Sequence, residues 1–130
     1  MVRARRTAQL AGFLNPQLTD LLKEVDYGEY EGLTAKQIHE SNPSWEVYKD
    51  GCPGGETPVQ IYSRAEEFLA VASKSGSRVL AFAHGHILRA VGTAWIHADL
   101  SVAAGLMLDV ATLSVLRDDG HRVIALWNAP

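Results

Sequence analysis

A single cysteine, Cys52, stands in 130 residues. One thiol makes no internal disulfide and cannot supply the clustered thiolates of a structural zinc site, so a reducing, cytoplasmic setting is the expectation. The chain also lacks a basic excess: 12 Lys+Arg against 15 Asp+Glu leave a formal net charge of −3. Binding a phosphate backbone through counterion release needs the opposite balance, which argues against a nucleic-acid partner. No apolar run approaches the roughly 20 residues that span a bilayer, so no membrane partner is expected. No repeat, low-complexity tract or Pro/Gly/Ser-rich linker divides the chain. The Arg-rich, acid-free start, Met1 to Phe13, has the charge of a transit peptide or twin-Arg signal. Gln9 and Gly12 interrupt its apolar segment too early for an h-region. What is present is 47% apolar and 21% charged, a globular composition, and the length fits one domain over residues 1–130.

The pattern predicts helix over Val2 to Gly12, with Ala4, Ala8 and Ala11 on one face and Gly12 as the stop. No Ser, Thr, Asp or Asn precedes it, and Arg3, Arg5 and Arg6 put positive charge at the positive end of the macrodipole. Such a helix looks cut, or its arginines hold an anion. Leu18 to Val25 reads as a short strand entering an acidic, aromatic loop, Asp26 to Gly32. Thr34 with Gln37 forms a capping box for a helix through His39. Cys52 to Glu56 reads as a tight turn. Thr57, Pro58 and Gln60 announce the longest helix, with Ile61, Ala65, Phe68, Leu69 and Ala72 inward and Arg64, Glu66 and Glu67 outward. Val79 to Ala83 is a continuous apolar run of the kind that forms a strand buried on both faces. It stops at His84-Gly85-His86, after which Ile87, Leu88, Val91 and Trp95 recur at helical spacing. Ala111 to Arg117 and Arg122 to Trp127 flank Asp118 to His121, a hairpin signal. Helices alternating with a buried strand argue an α/β sandwich with a mostly parallel sheet.

In such sheets ligands sit beyond the carboxyl ends of strands, where helix N-termini offer free amides, and His84 falls there. Its imidazole is placed to donate to an anionic oxygen, with Arg89 about one turn on. The plainer alternative is that His84 caps the strand and bonds a carbonyl. A metal reading of His84 and His86 needs a third ligand, and His39, His97 and His121 show no such spacing.

Four stretches then stand in order: Arg3-Ala4-Arg5-Arg6-Thr7-Ala8, Leu22 to Gly32 (containing Glu24-Val25-Asp26-Tyr27-Gly28-Glu29-Tyr30-Glu31-Gly32), Pro53-Gly54-Gly55-Glu56-Thr57, and His84-Gly85-His86-Ile87-Leu88-Arg89. Together they resemble the histidine phosphatase superfamily, in its phosphatase branch with bacterial acid phosphatases. The resemblance implies a three-layer, phosphoglycerate mutase-like α/β sandwich that lacks its N-terminal strand-helix-strand portion. It implies that Arg3, His84 and Gly85 meet the phosphoryl group, with His84 stabilising charge in transfer. Glu24 matches the proton donor to the leaving oxygen, which then acts as base for water; Asp26 is its deputy. A small phosphorylated substrate is implied, and neither metal nor organic cofactor. The residues between Gly32 and Gly51, with Trp45 and Tyr48, are expected to form a variable lid over it.

The family's nucleophile is the histidine of an Arg-His-Gly motif, forming a phosphohistidine. The chain contains no Arg-His-Gly, and none of its five histidines substitutes for it. The expectation is therefore a fragment, or a product begun too late, of a phosphomonoesterase, inactive alone. Without the central strand its neighbours' edges lie open, favouring self-association. The rival from another class is a non-catalytic module that kept the phosphate-binding half; a third is an unrelated α/β binding domain.

Overall fold

Thr57 opens the longest helix as the capping pattern predicts: its hydroxyl accepts from the Gln60 N–H while the Gln60 side chain accepts from the Thr57 N–H. The computed structural model describes residues 1–130. The helices are α1 (Val2–Leu10), α2 (Ala35–Ser41), α3 (Val47–Asp50), α4 (Pro58–Lys74) and α5 (Gly85–Trp95). The strands β1 (Leu113–Asp118) and β2 (Arg122–Ala129) follow. Short 3₁₀ turns occupy Asp20–Leu22, Gly28–Tyr30 and Leu100–Gly105. Helix α2 carries the predicted Thr34–Gln37 box. Helix α1 begins without any side-chain cap, as its composition foretold.

The core lies between α4 and α5. Ile61, Ala65 and Leu69 of α4 are buried with Ala90, Val91 and Ala94 of α5, closed by Leu22, Val25, Val47, Tyr48, Leu100 and Ala103. No helix is long and apolar enough to cross a membrane.

Two sequence expectations are corrected. The only sheet is the antiparallel β1–β2 hairpin, so no mostly parallel sheet forms. A strand buried on both faces needs hydrogen-bonded neighbours at its edges. Residues 79–83 have none: they run without a strand partner, and Val79 and Leu80 are each 51% exposed. A groove of about 580 Å³ lies beside them, lined by Ala8, Phe13, Leu18, Phe68 and Phe82. A second, of about 470 Å³, is lined by Leu88, Trp95, Val115 and Trp127. Nor is Leu18–Val25 a strand. The Thr19 hydroxyl accepts from the Leu21 N–H and turns the chain into a 3₁₀ turn, the local bond with which Ser and Thr compete against ladders.

Helix α5 meets β2 at Gly92, which is fully enclosed. A Cβ there would lie 2.6 Å from the Trp127 ring, and that ring is tied by its Nε1–H to the Met107 carbonyl at 2.6 Å. Replacing glycine by alanine inside a helix ordinarily stabilises by about 1 kcal/mol. Here the sign inverts, and Gly92→Ala is predicted to destabilise by about 1–3 kcal/mol through overpacking. Urea unfolding of the two proteins checks it; an unchanged or raised midpoint contradicts it.

Candidate active site

The first amides of a helix have no intrahelical acceptor and draw in anionic or polar partners. In α5 the first intrahelical bond runs from the Leu88 N–H to the His84 carbonyl, leaving Gly85, His86 and Ile87 unserved. His84 holds the N-cap position in extended geometry (φ −130°, ψ 163°), yet its side chain makes no capping bond. Glu24 supplies the cap from elsewhere in the chain. Its Oε2 accepts from the His86 N–H at 3.2 Å and its Oε1 from the Ile87 N–H at 3.0 Å. Oε1 also takes the Val25 N–H at 2.9 Å. Because a carboxylate from the loop after the Asp20–Leu22 turn neutralises the helix end, the His84 imidazole stays uncommitted beside it.

Glu24 is held by a second layer. Arg64, on α4, forks onto Glu56 through Nε (2.8 Å) and its second terminal nitrogen (2.9 Å). The remaining nitrogen donates to the carbonyls of Leu21 (2.8 Å) and Lys23 (2.7 Å). Glu56 in turn accepts the Asp26 N–H at 2.8 Å, and its own N–H donates to the Asp26 carbonyl at 2.9 Å. The residues on both sides of Glu24 are thereby fixed. The expectation that Arg64 faces outward is corrected: its side chain is 16% exposed, with its charge spent on this clamp.

His86 sits between two phenols. Tyr27 Oη lies 2.5 Å from Nδ1, and the Tyr48 hydroxyl donates to the His86 carbonyl at 2.9 Å. Burial first, then the Glu24 charge, raises the Tyr27 phenol, so it stays protonated beside the His86 ring. The Tyr48 phenol is raised by burial too, against the pull of Arg89 beneath its ring. Burial lowers His86 and His84 alike; Glu24 opposes both shifts. Arg89 adds to the lowering of His86, and the Met1 ammonium with Arg3 to that of His84. No three His, Cys, Asp or Glu side chains gather as a metal set.

A family model described as the histidine phosphatase superfamily, branch 1, matches residues 1–130. The chain belongs to that superfamily. It is 42% identical over 115 residues to an acid phosphatase of Mycobacterium tuberculosis, covering 87% of this chain and 57% of that protein. It is 33% identical over 93 residues to a sedoheptulose 1,7-bisphosphatase of Saccharomyces cerevisiae, covering 58% of this chain and 34% of the yeast protein. A solved structure of a Mycobacterium tuberculosis open reading frame superposes with a TM-score of 0.93 at 39% identity, over 98% of this chain and 67% of that one. The chain thus spans little more than half the length of the first of these curated relatives. The α/β class holds through this shared fold, while the hairpin is the only sheet this superfamily member forms here.

Of the residues singled out from sequence in this histidine phosphatase chain, Glu24, His84 and Gly85 come together at the start of α5. Arg3 is exposed on α1 and forms no ion pair, and its charge reaches His84. Asp26 is turned away into its own loop, its Oδ1 accepting the Gly28 N–H at 2.9 Å. Tyr48 is no free lid residue: it is 3% exposed and bonded to α5. Sequence reasoning turned Arg64 to solvent, and it quoted Glu56, Tyr27 and His86 within the matched stretches without giving them these positions in the site. The one available signal was Glu56, a carboxylate immediately after a Gly-Gly turn. Cys52, buried in that turn, is pushed up to about 11 by desolvation and then by Asp26 and Glu56.

Both lowered histidines bind protons less readily folded than unfolded, where the ordinary value is 6.5. The unfolded chain therefore takes up more protons once pH falls below 6.5, and stability falls with it. From about a unit above that pH the two rings contribute almost no slope. Denaturant unfolding between about pH 7.5 and about pH 5 is predicted to show this loss, and His84→Asn with His86→Asn to flatten it. An equal slope in the double variant contradicts the assignment.

Proposed function

We propose that this chain is the phosphate-gripping and proton-transferring part of a phosphomonoesterase acting on a small phosphorylated metabolite through a phosphohistidine. The observation that carries the reading is the uncommitted His84 imidazole next to a fixed Glu24 carboxylate at the open N-terminus of α5. A Cβ at Gly85 would meet nothing within 4 Å, so no packing in the chain demands glycine there, while a close-lying phosphoryl oxygen would. Arg3, His84 and the Gly85 amide hold the phosphoryl oxygens by charge-assisted bonds. Glu24 takes up a proton, which loosens its hold on the α5 amides, and gives it to the leaving oxygen; as the carboxylate so formed it then takes a proton from the attacking water. Asp26, committed to its turn, is the lesser candidate for that role. No metal or organic cofactor enters this scheme. The relatives named acid phosphatase and sedoheptulose 1,7-bisphosphatase support a phosphorylated substrate.

The nucleophile is the part that this sequence lacks, since it contains no Arg-His-Gly. In our reading that motif comes with a strand that pairs with residues 79–83 and restores the parallel sheet; a second copy of the chain is the other source of strand pairing. The same lack is the observation favouring a second reading, a module that binds a phosphorylated ligand without turning it over. Either way the chain alone is predicted to hydrolyse an aryl phosphate at mildly acidic pH no faster than buffer, and to bind inorganic phosphate at His84. His84→Ala is predicted to weaken that binding about tenfold or more, the loss of a bond to a charged group. Turnover by the chain that His84→Ala abolishes would sink the claim that its catalytic set is incomplete. Phosphate binding untouched by His84→Ala would sink the site itself.

A further inference from the structure

We propose that Arg64 is the positioning residue for Glu24: its guanidinium, forked onto Glu56 and bonded to the Leu21 and Lys23 carbonyls, sets where the Glu24 carboxylate meets the first turn of α5. The catalytic meaning of this position rests on the reading of Glu24 given above; the position itself does not.

Arg64 spends its donors on four acceptors spread over two segments, residues 21–23 and Glu56. Lysine cannot do the same, because an ammonium is a point charge without a planar fork. Glu56 then grips Asp26 by two bonds, one from its side chain and one from its backbone. Residues 23 and 26 are both tied down, with Glu24 and Val25 between them. The turn bearing Glu56 comes this close only because its neighbours are small: a Cβ at Gly55 would stand 2.2 Å from the Asp26 carbonyl oxygen, and one at Gly28 2.2 Å from that of Pro53. The side chains of Arg64 and Glu56 are 16% and 17% exposed, so solvent screens the pair little. Leu22 and Val25 also pack this loop into the core with α4, but the bonds that fix its backbone to that helix come from Arg64. Arg64 touches neither the α5 amides nor the space beside His84; it acts through Glu24. In a phosphoryl-transfer site, a displacement of about 1 Å in such a group costs about a hundredfold in rate.

The α5 amides offer a readout that needs no turnover. The N–H groups of His86 and Ile87 have no intrahelical acceptor and are shielded by Glu24. Their hydrogen exchange therefore reports the carboxylate's position. In the full chain, Arg64→Met is predicted to speed exchange at these two amides by about tenfold or more, while the amides of residues 91–95 keep their rates. Arg64→Lys is predicted to show the same local loss despite its retained charge, and Glu24→Ala, which removes the acceptor, to set its upper limit. If Arg64→Met does not fold, Arg64→Lys and Glu56→Gln carry the test.

Unchanged exchange at His86 and Ile87 in the folded variants overturns the proposal. Acceleration spread evenly along α5 also overturns it, because Arg64 would then serve only general stability. Phosphate binding followed on the same samples separates the two readings. Failure of the wild-type chain to bind phosphate removes the functional reading of Glu24 and leaves the exchange result standing.

Discussion

The carboxylate of Glu24 lies across the first turn of α5, and the arrangement of the site follows from that contact. A helix end carries partial positive charge and unserved amides, and in most helices the residue at the N-cap answers both. Here that residue is His84, which makes no capping bond. Capping from a distant segment separates two tasks that one side chain could not perform together. Glu24 satisfies the amides, and His84 keeps its imidazole for something outside the helix.

Holding a carboxylate in place from a loop requires a frame, since the loop has no ladder to stiffen it. The Arg64–Glu56 pair supplies it from the most regular element of the chain, α4, whose own start is set by the Thr57–Gln60 box one residue after Glu56. The chemistry of the site thus passes from a helix cap to an ion pair, from the ion pair to a loop, and from the loop to a second helix cap. On the far side, Tyr48 bonds the His86 carbonyl and Tyr27 its ring. The Tyr48 bond ties the segment between Gly32 and Gly51, the expected variable lid, onto α5.

Much of this was readable in the sequence because it is local. The Thr34 and Thr57 caps, Pro58 at the head of α4, the hairpin around Gly120 and the helix after His84 all rest on contacts within a few residues. What could not be read is non-local. Arg64 occupies a position that helical periodicity assigns to solvent, and only the approach of a turn eight residues earlier makes it an interior fork. The run Val79 to Ala83 has the composition of a buried strand, but composition does not supply the neighbour that would make it part of a sheet. Leu18 to Val25 misled because apolar content outweighed Thr19, whose hydroxyl bonds its own backbone. Four short motifs in order identified the superfamily, and the match over residues 1–130 agrees with them. They located Glu24 and His84 without revealing that one caps the helix the other begins.

Of the two grooves beside residues 79–83, the one lined by Phe13 and Phe68 also reaches His84, so this unpaired apolar run adjoins the site. Whether that site is prepared for a phosphoryl group is read most directly from its two histidines, titrated by NMR with and without inorganic phosphate. An anion held at His84 favours its charged form, while His86, paired with Tyr27, is shielded from it. The account predicts that phosphate raises the His84 titration midpoint by about one unit, a typical effect of a close opposite charge, and leaves His86 nearly unmoved. A His84 midpoint indifferent to phosphate, or a shift confined to His86, would contradict it.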